Sequence, residues 1–140
     1  MKTIASIGGR HPVLGVLLAL GVAACTGPGA ESAAVESPAL KGSEIQAFLA
    51  QGTDWQFRSS DGAHGTSAFR SDGSSEVNWQ SGGHSGHAVG TAWVEGDKLC
   101  ARYPALRHGS RICGRLVRLD ANRYRLHKDE GGTTTYIAIR

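Results

Sequence analysis

The side chains that could do chemistry fall into three sets: clustered imidazoles, scattered serines and carboxylates, and cysteines. His84-Ser85-Gly86-His87 sits in a glycine-rich stretch, and His64 lies near another turn. Two imidazoles could hold Zn²⁺ or Cu²⁺ if a third ligand joined them. The stretch contains no carboxylate and its glycines leave it slack, so it is expected to be a solvated loop without a metal. Serine, histidine and aspartate are all present, but no Gly-x-Ser-x-Gly elbow holds a serine under strain. Asp61 and Asp72 precede glycines and are better suited to forming turns. Cys100 and Cys113 lack the Cys-x-x-Cys spacing of a redox pair. These patterns predict a protein that is not an enzyme and takes no cofactor.

The third cysteine has a different setting. Met1, Lys2 and Arg10 give a positive start, and residues 13–24 carry no charge. Twelve apolar residues are too few to span a ~30 Å hydrocarbon core, but suit the apolar part of a signal peptide. The run ends in Val22-Ala23-Ala24-Cys25, which resembles the lipobox of bacterial lipoproteins. That resemblance implies a signal peptide over 1–24, a lipid on Cys25, and a membrane as partner through that lipid. Ordinary cleavage near Ala24 is the alternative. By resemblance to lipoprotein sorting, Thr26, rather than Asp, after the cysteine implies the outer membrane, facing the periplasm rather than the cell surface. Such a compartment is oxidising, which leaves Cys100 and Cys113 to pair as a disulfide.

Removing residues 1–24 takes away two of the 15 basic residues and lowers the formal charge from +3 to +1. The remaining charge is unevenly spread. Residues 25–97 hold nine acids and three bases, whereas residues 99–128 hold eight bases and one acid. Such asymmetry points to an anionic partner: a lipid headgroup, a glycan or an acidic protein face. An envelope address excludes nucleic acid. The competing reading is a surface neutralised by the protein's own acidic half.

These residues need elements to position them. Residues 25–42 are rich in Gly, Pro, Ala, Ser and Glu, lack aromatics, and read as a flexible tether. All nine aromatics follow, so the folded domain is expected over 43–140. Ser43-Glu44-Ile45-Gln46 reads as a capping box, and Ile45, Phe48 and Leu49 share one face of a short helix ending at Gly52. The period then changes to two. Strands are expected near 55–57, 69, 76–80, 88–95, 98–103, 110–119, 123–128 and 133–140, with turns at 81–86, 95–97, 120–122 and 129–132. Phe57-Arg58-Ser59-Ser60-Asp61-Gly62 and Phe69-Arg70-Ser71-Asp72-Gly73 read as two copies of one strand-turn device. The expected fold is all-β: a small antiparallel meander barrel of about eight strands with one short N-terminal helix and one disulfide. A two-sheet sandwich is the alternative. Twenty glycines in 140 residues argue against a helix bundle.

A disulfide across one hairpin sets a register. With Cys100 opposite Cys113, Leu99 meets Gly114, Ala101 meets Ile112 and Arg102 meets Arg111. A three-residue loop at 120–122, with Asn122 left-handed, then places Leu116 opposite Leu126 and Arg115 opposite His127. Leu99, Ala101, Ile112, Leu116, Tyr124 and Leu126 share the inner face. Arg102, Arg111, Arg115, Arg123 and Arg125 share the outer face as a basic stripe for an anionic partner. Trp55, Trp79 and Trp93 could stack on a sugar, but are expected in the core.

The order Gly90-Thr91-Ala92-Trp93, Gly96-Asp97-Lys98-Leu99-Cys100, Cys113, Tyr124, Gly131-Gly132 resembles a family of small exported bacterial proteins classed as a domain of unknown function. That resemblance implies a fold and transfers no catalytic residue. The chain more weakly resembles small lipoprotein barrels that inhibit periplasmic proteases or lysozyme, but lacks their cysteine near the start of the domain. The expected function is non-catalytic binding at the cell envelope, with an anionic envelope partner. The alternative is an inhibitor of a periplasmic or host hydrolase that inserts the loop 104–109.

Overall fold

The computed structural model describes residues 36–139. The expected leader 1–24, the lipid site Cys25 and residues 26–35 of the expected tether lie outside the described residues. The helix α1 (Gly42–Ala50) comes first. Eight strands follow: β1 (Asp54–Ser59), β2 (His64–Phe69), β3 (Ser74–Ser81), β4 (His84–Glu95), β5 (Lys98–Arg102), β6 (Arg111–Arg118), β7 (Arg123–Lys128) and β8 (Thr133–Ala138). Each pairs antiparallel with the next, and β8 returns to β1, so the sheet is a closed barrel. Closure leaves no unpaired strand edge, which settles barrel over sandwich.

The turns account for the meander. Asp61 accepts the Ala63 N–H at 3.1 Å, and Asp72 accepts the Ser74 N–H at 2.8 Å, one device used twice. Gly62 and Gly73 follow at φ 91° and 85°, values an L side chain rarely adopts. Both aspartates are thus committed to local turns; the Ala63 N–H holds the Asp61 carboxyl below the ordinary carboxylate pKa, and the Ser74 hydroxyl and N–H do the same for Asp72.

The register around the disulfide is the expected one. Cys100 pairs with Cys113, Arg102 with Arg111, Leu116 with Leu126 and Arg115 with His127. The loop between β6 and β7 turns by another route. Asn122 is not left-handed, because Asp120 accepts its N–H at 2.9 Å and closes the turn with ordinary φ values.

Two further expectations shift. The glycine-rich stretch at 81–86 is not a loop: Gly82 and Gly83, at φ 56° and 81°, make a two-residue hairpin turn. His84 and His87 therefore lie within β4, and His87 reaches Glu76 on β3 at 2.6 Å. The helix is also capped differently. Glu44 accepts the Lys41 N–H at 2.7 Å, and Asp97, from the β4–β5 turn, accepts the Gly42 N–H at 2.8 Å. The Gly42 N–H, with Lys41 beside it, holds the Asp97 carboxyl below its ordinary pKa. Ser43 does not serve as the cap.

Contacts with the barrel reach back to Glu36, inside the stretch read as tether. Leu40 donates its N–H to the Leu116 carbonyl at 2.7 Å, and Ala39 bridges to Val117. Glu36 lies 2.7 Å from Arg125 and 3.0 Å from His127. Composition marks this stretch as unable to form a core, which does not stop it docking on one.

Helix α1 closes one end of the barrel. Ile45, Phe48 and Leu49 are buried. The Phe48 ring stacks on Trp55 at 4.9 Å and meets Tyr124 edge-on at 5.0 Å. Burying a side chain of this size contributes about 1.5–3 kcal/mol, which anchors a helix too short to be stable alone.

Candidate functional site: the open end of the barrel

With one end plugged, the inward side chains of the other end surround a cavity of about 350 Å³. An eight-stranded barrel is just wide enough to be filled by side chains or to hold one small ligand. Here filling stops partway. Phe57, Phe69, Val77, Trp79, Ile112 and Leu126 form apolar walls, and the volume falls within the range of small-molecule pockets.

The glycine excess shapes these walls. Gly86 lies opposite Trp79, and a Cβ there would come within 2.8 Å of the indole ring. Gly90 lies against β5: a Cβ there would stand 2.0 Å from the Arg102 carbonyl oxygen and 2.8 Å from the Tyr103 ring. The missing side chains make room for two aromatics at the open end. Sequence reasoning assigned all three tryptophans to the core. Trp55 is there, 1% exposed. Trp79 is half-buried in the cavity wall, and its indole N–H has no partner among the described residues. Trp93 stands beside Cys100 in the register and donates to Glu95 at 3.4 Å.

Asp61, Ser67 and Ser110 line the cavity, and two further sets of polar groups reach into it. The Tyr103 hydroxyl bonds Ser75 at 2.7 Å, and burial raises its pKa. Across the barrel, Lys128 continues the inward row of Tyr124 and Leu126. Its ammonium donates to Ser59 Oγ at 3.3 Å, and that oxygen lies 3.1 Å from Thr134 Oγ1. Lys128 was absent from the residues expected at a site. The two-residue period of β7 already places it inside, and that was the available signal.

The loop between β5 and β6 leans over this end. Leu106 contributes to the cavity wall, and Arg107 makes a two-point ion pair with Glu130 in the β7–β8 turn. Arg107 and His108 hold left-handed φ values of 51° and 55°, uncommon for residues other than glycine. The segment 104–109, read as a protruding wedge, is tied inward at Leu106 and Arg107.

The basic stripe lies where the register placed it, but its charges are engaged. Arg111 pairs with Glu95 at 2.9 Å, Arg123 with Asp120 and Arg125 with Glu36 at 2.7 Å. Arg102 donates to the Gly109 carbonyl at 2.7 Å. Glu95 and Glu36 come from outside the hairpins used to derive the register, so the relief of Arg102 facing Arg111 was invisible from them. Arg115 makes no ion pair among the described residues. The face is one of mixed charge.

His64, His84 and His87 do not gather as ligands. Among the described residues, Glu95, Cys100 and Cys113 are the three whose ligand atoms lie within 4.8 Å of one another. Both thiols are joined in the disulfide and offer no thiolate. No helix among the described residues is long and apolar enough to cross a membrane. No family model, curated protein or solved structure matches the chain. The site is therefore read from its own geometry.

Proposed function

We propose that this protein is a non-catalytic binding protein of the bacterial cell envelope, held to the outer membrane by a lipid on Cys25, whose barrel takes a small apolar or amphipathic molecule into its open end. The cavity of about 350 Å³ carries this reading. A closed barrel of this size either fills itself with side chains or holds one small ligand, and leaving it partly empty forgoes packing contacts. Aromatic and aliphatic walls with a few convergent polar groups are what a small-molecule site requires. The non-catalytic assignment rests on how the reactive residues are used: Asp61 and Asp72 close turns, and the cysteines are bridged. The envelope assignment rests on Val22-Ala23-Ala24-Cys25 and on the cysteine pair.

A neutral probe tests the reading. 2-Naphthol titrated into the isotope-labelled protein should shift the amide signals of Phe57, Val77 and Leu126, saturating at one equivalent. Shifts confined to the outer face, or none that saturate, would overturn it. Acyl labelling lost in Cys25→Ser, with release from membranes, is the expected result for the anchor; retention on the membrane after cleavage would contradict it.

A further inference from the structure

We infer that the molecule held in the barrel is a small amphipathic carboxylate whose head sits on Lys128, an inference that rests on reading the cavity as a binding site. Three observations converge on it.

Lys128 is an inward cation with little water around it. Its side chain is only 12% exposed, although lysine is almost never buried unless paired. An ammonium has three donors, and Ser59 Oγ at 3.3 Å accepts one of them. Its ion-pair partner, Asp61, stands 3.9 Å away, too far to accept a hydrogen bond, and is 65% exposed, where water screens it. An incoming carboxylate would find donors to spare.

The other charges at this rim favour the same sign. Arg107 and Glu130 neutralise each other in their two-point pair. Asp61, at 3.9 Å and 65% exposed, already faces Lys128, so a cationic head would have to share that solvent-screened charge with the ammonium. A neutral oxygen would accept a hydrogen bond from the ammonium but bring no charge to it. An anionic head would do both, and hydrogen bonds between ionised groups are roughly twice as strong as neutral ones.

The apolar walls set the size of the remainder. At ~30 Å³ per water-sized group, a cavity of about 350 Å³ holds roughly a dozen such groups. A medium-length acyl chain or a bicyclic aromatic acid meets this requirement, and both present the same carboxylate to Lys128. The Ser59 and Thr134 hydroxyls lie next to that head position.

The test compares heads on one tail. Decanoate, decanol and decylamine are titrated into the purified full chain and followed by tryptophan fluorescence, since Trp79 lies in the cavity wall. Decanoate should bind at least tenfold more tightly than decanol or decylamine. Lys128→Met and Lys128→Gln should each remove that preference while decanol binding persists. 2-Naphthoate in place of decanoate distinguishes an aromatic acid from an acyl one, and the tighter of the two identifies the source. Equal binding of decanoate and decanol, or an unchanged preference in both variants, would overturn the head assignment and leave the cavity reading standing. Failure of every probe to bind saturably would overturn both.

Discussion

Arg107 and Glu130 join the loop after β5 to the turn between β7 and β8, two segments 23 positions apart, by two parallel hydrogen bonds. The pair spans the rim of the only end that α1 leaves unplugged. A planar guanidinium meeting a carboxylate in this way fixes geometry more firmly than a lysine would. Arg107 adopts a left-handed backbone to make it, at φ 51°.

Glu130→Gln should loosen the loop while leaving the barrel intact. Both partners are more than a third exposed, so the loss of global stability should stay below about 1 kcal/mol. Hydrogen exchange at the Gly109 amide, which bonds the Leu106 carbonyl at 2.8 Å, should accelerate. Unchanged exchange there would mean that the ion pair does not hold the loop.

Acid should act on several of these devices together. Backbone N–H bonds lower the carboxyl pKa values of Asp61, Asp97 and Asp120, the Ser74 hydroxyl and N–H lower that of Asp72, and Arg107 lowers that of Glu130. A group whose folded pKa lies below its unfolded value stabilises the fold above the unfolded value, and that contribution fades as pH falls through the folded one. With ordinary values of 3.8 for Asp and 4.5 for Glu, thermal stability should be flat in pH above about 5.5 from these groups and fall below about 4.5. A melting temperature that rises on acidification through this range would contradict the assignment.

Reduction of the Cys100–Cys113 bridge, thirteen positions apart, should cost about 3 kcal/mol by the chain-entropy estimate for a loop of that length. Denaturant titration of Cys100→Ala/Cys113→Ala against the oxidised parent measures it. A midpoint unchanged by the double substitution would show that the hairpin register holds without the bridge.

The barrel and its register were legible because strand period, turn residues and one cysteine pair agree. Leu116 opposite Leu126 follows from counting alone. The cavity was harder to read, because it depends on what glycine omits. Gly86 looks like loop composition, and Gly90 like any strand residue, until Trp79 and Tyr103 are seen lying over them. The Gly82-Gly83 turn was hidden within a longer glycine-rich stretch, which pushed His84 out of its strand. The arginine face was read correctly as a face and incompletely as a charge, since Glu36 and Glu95 arrive from elsewhere in the fold.

The two glycines should respond differently to the same substitution. Gly90→Ala places a Cβ 2.0 Å from a backbone carbonyl oxygen, which cannot move without distorting β5. It should cost about 3 kcal/mol, the upper end of the overpacking range. Gly86→Ala meets first the Trp79 ring, at 2.8 Å, a side chain and not backbone. The indole should tilt into the cavity, shifting tryptophan emission at a smaller stability cost. Equal destabilisation by the two would refute this account of the wall.

Whether the barrel holds a ligand is tested most directly by filling it. Val77 faces the cavity from β3, and Val77→Trp places an indole there. Native mass spectrometry after mixing with one equivalent of decanoate should show a one-to-one complex for the parent protein. The same mixture with Val77→Trp should show no complex, while circular dichroism reports an unchanged barrel. A complex of equal abundance in both proteins would place the ligand elsewhere and contradict the account.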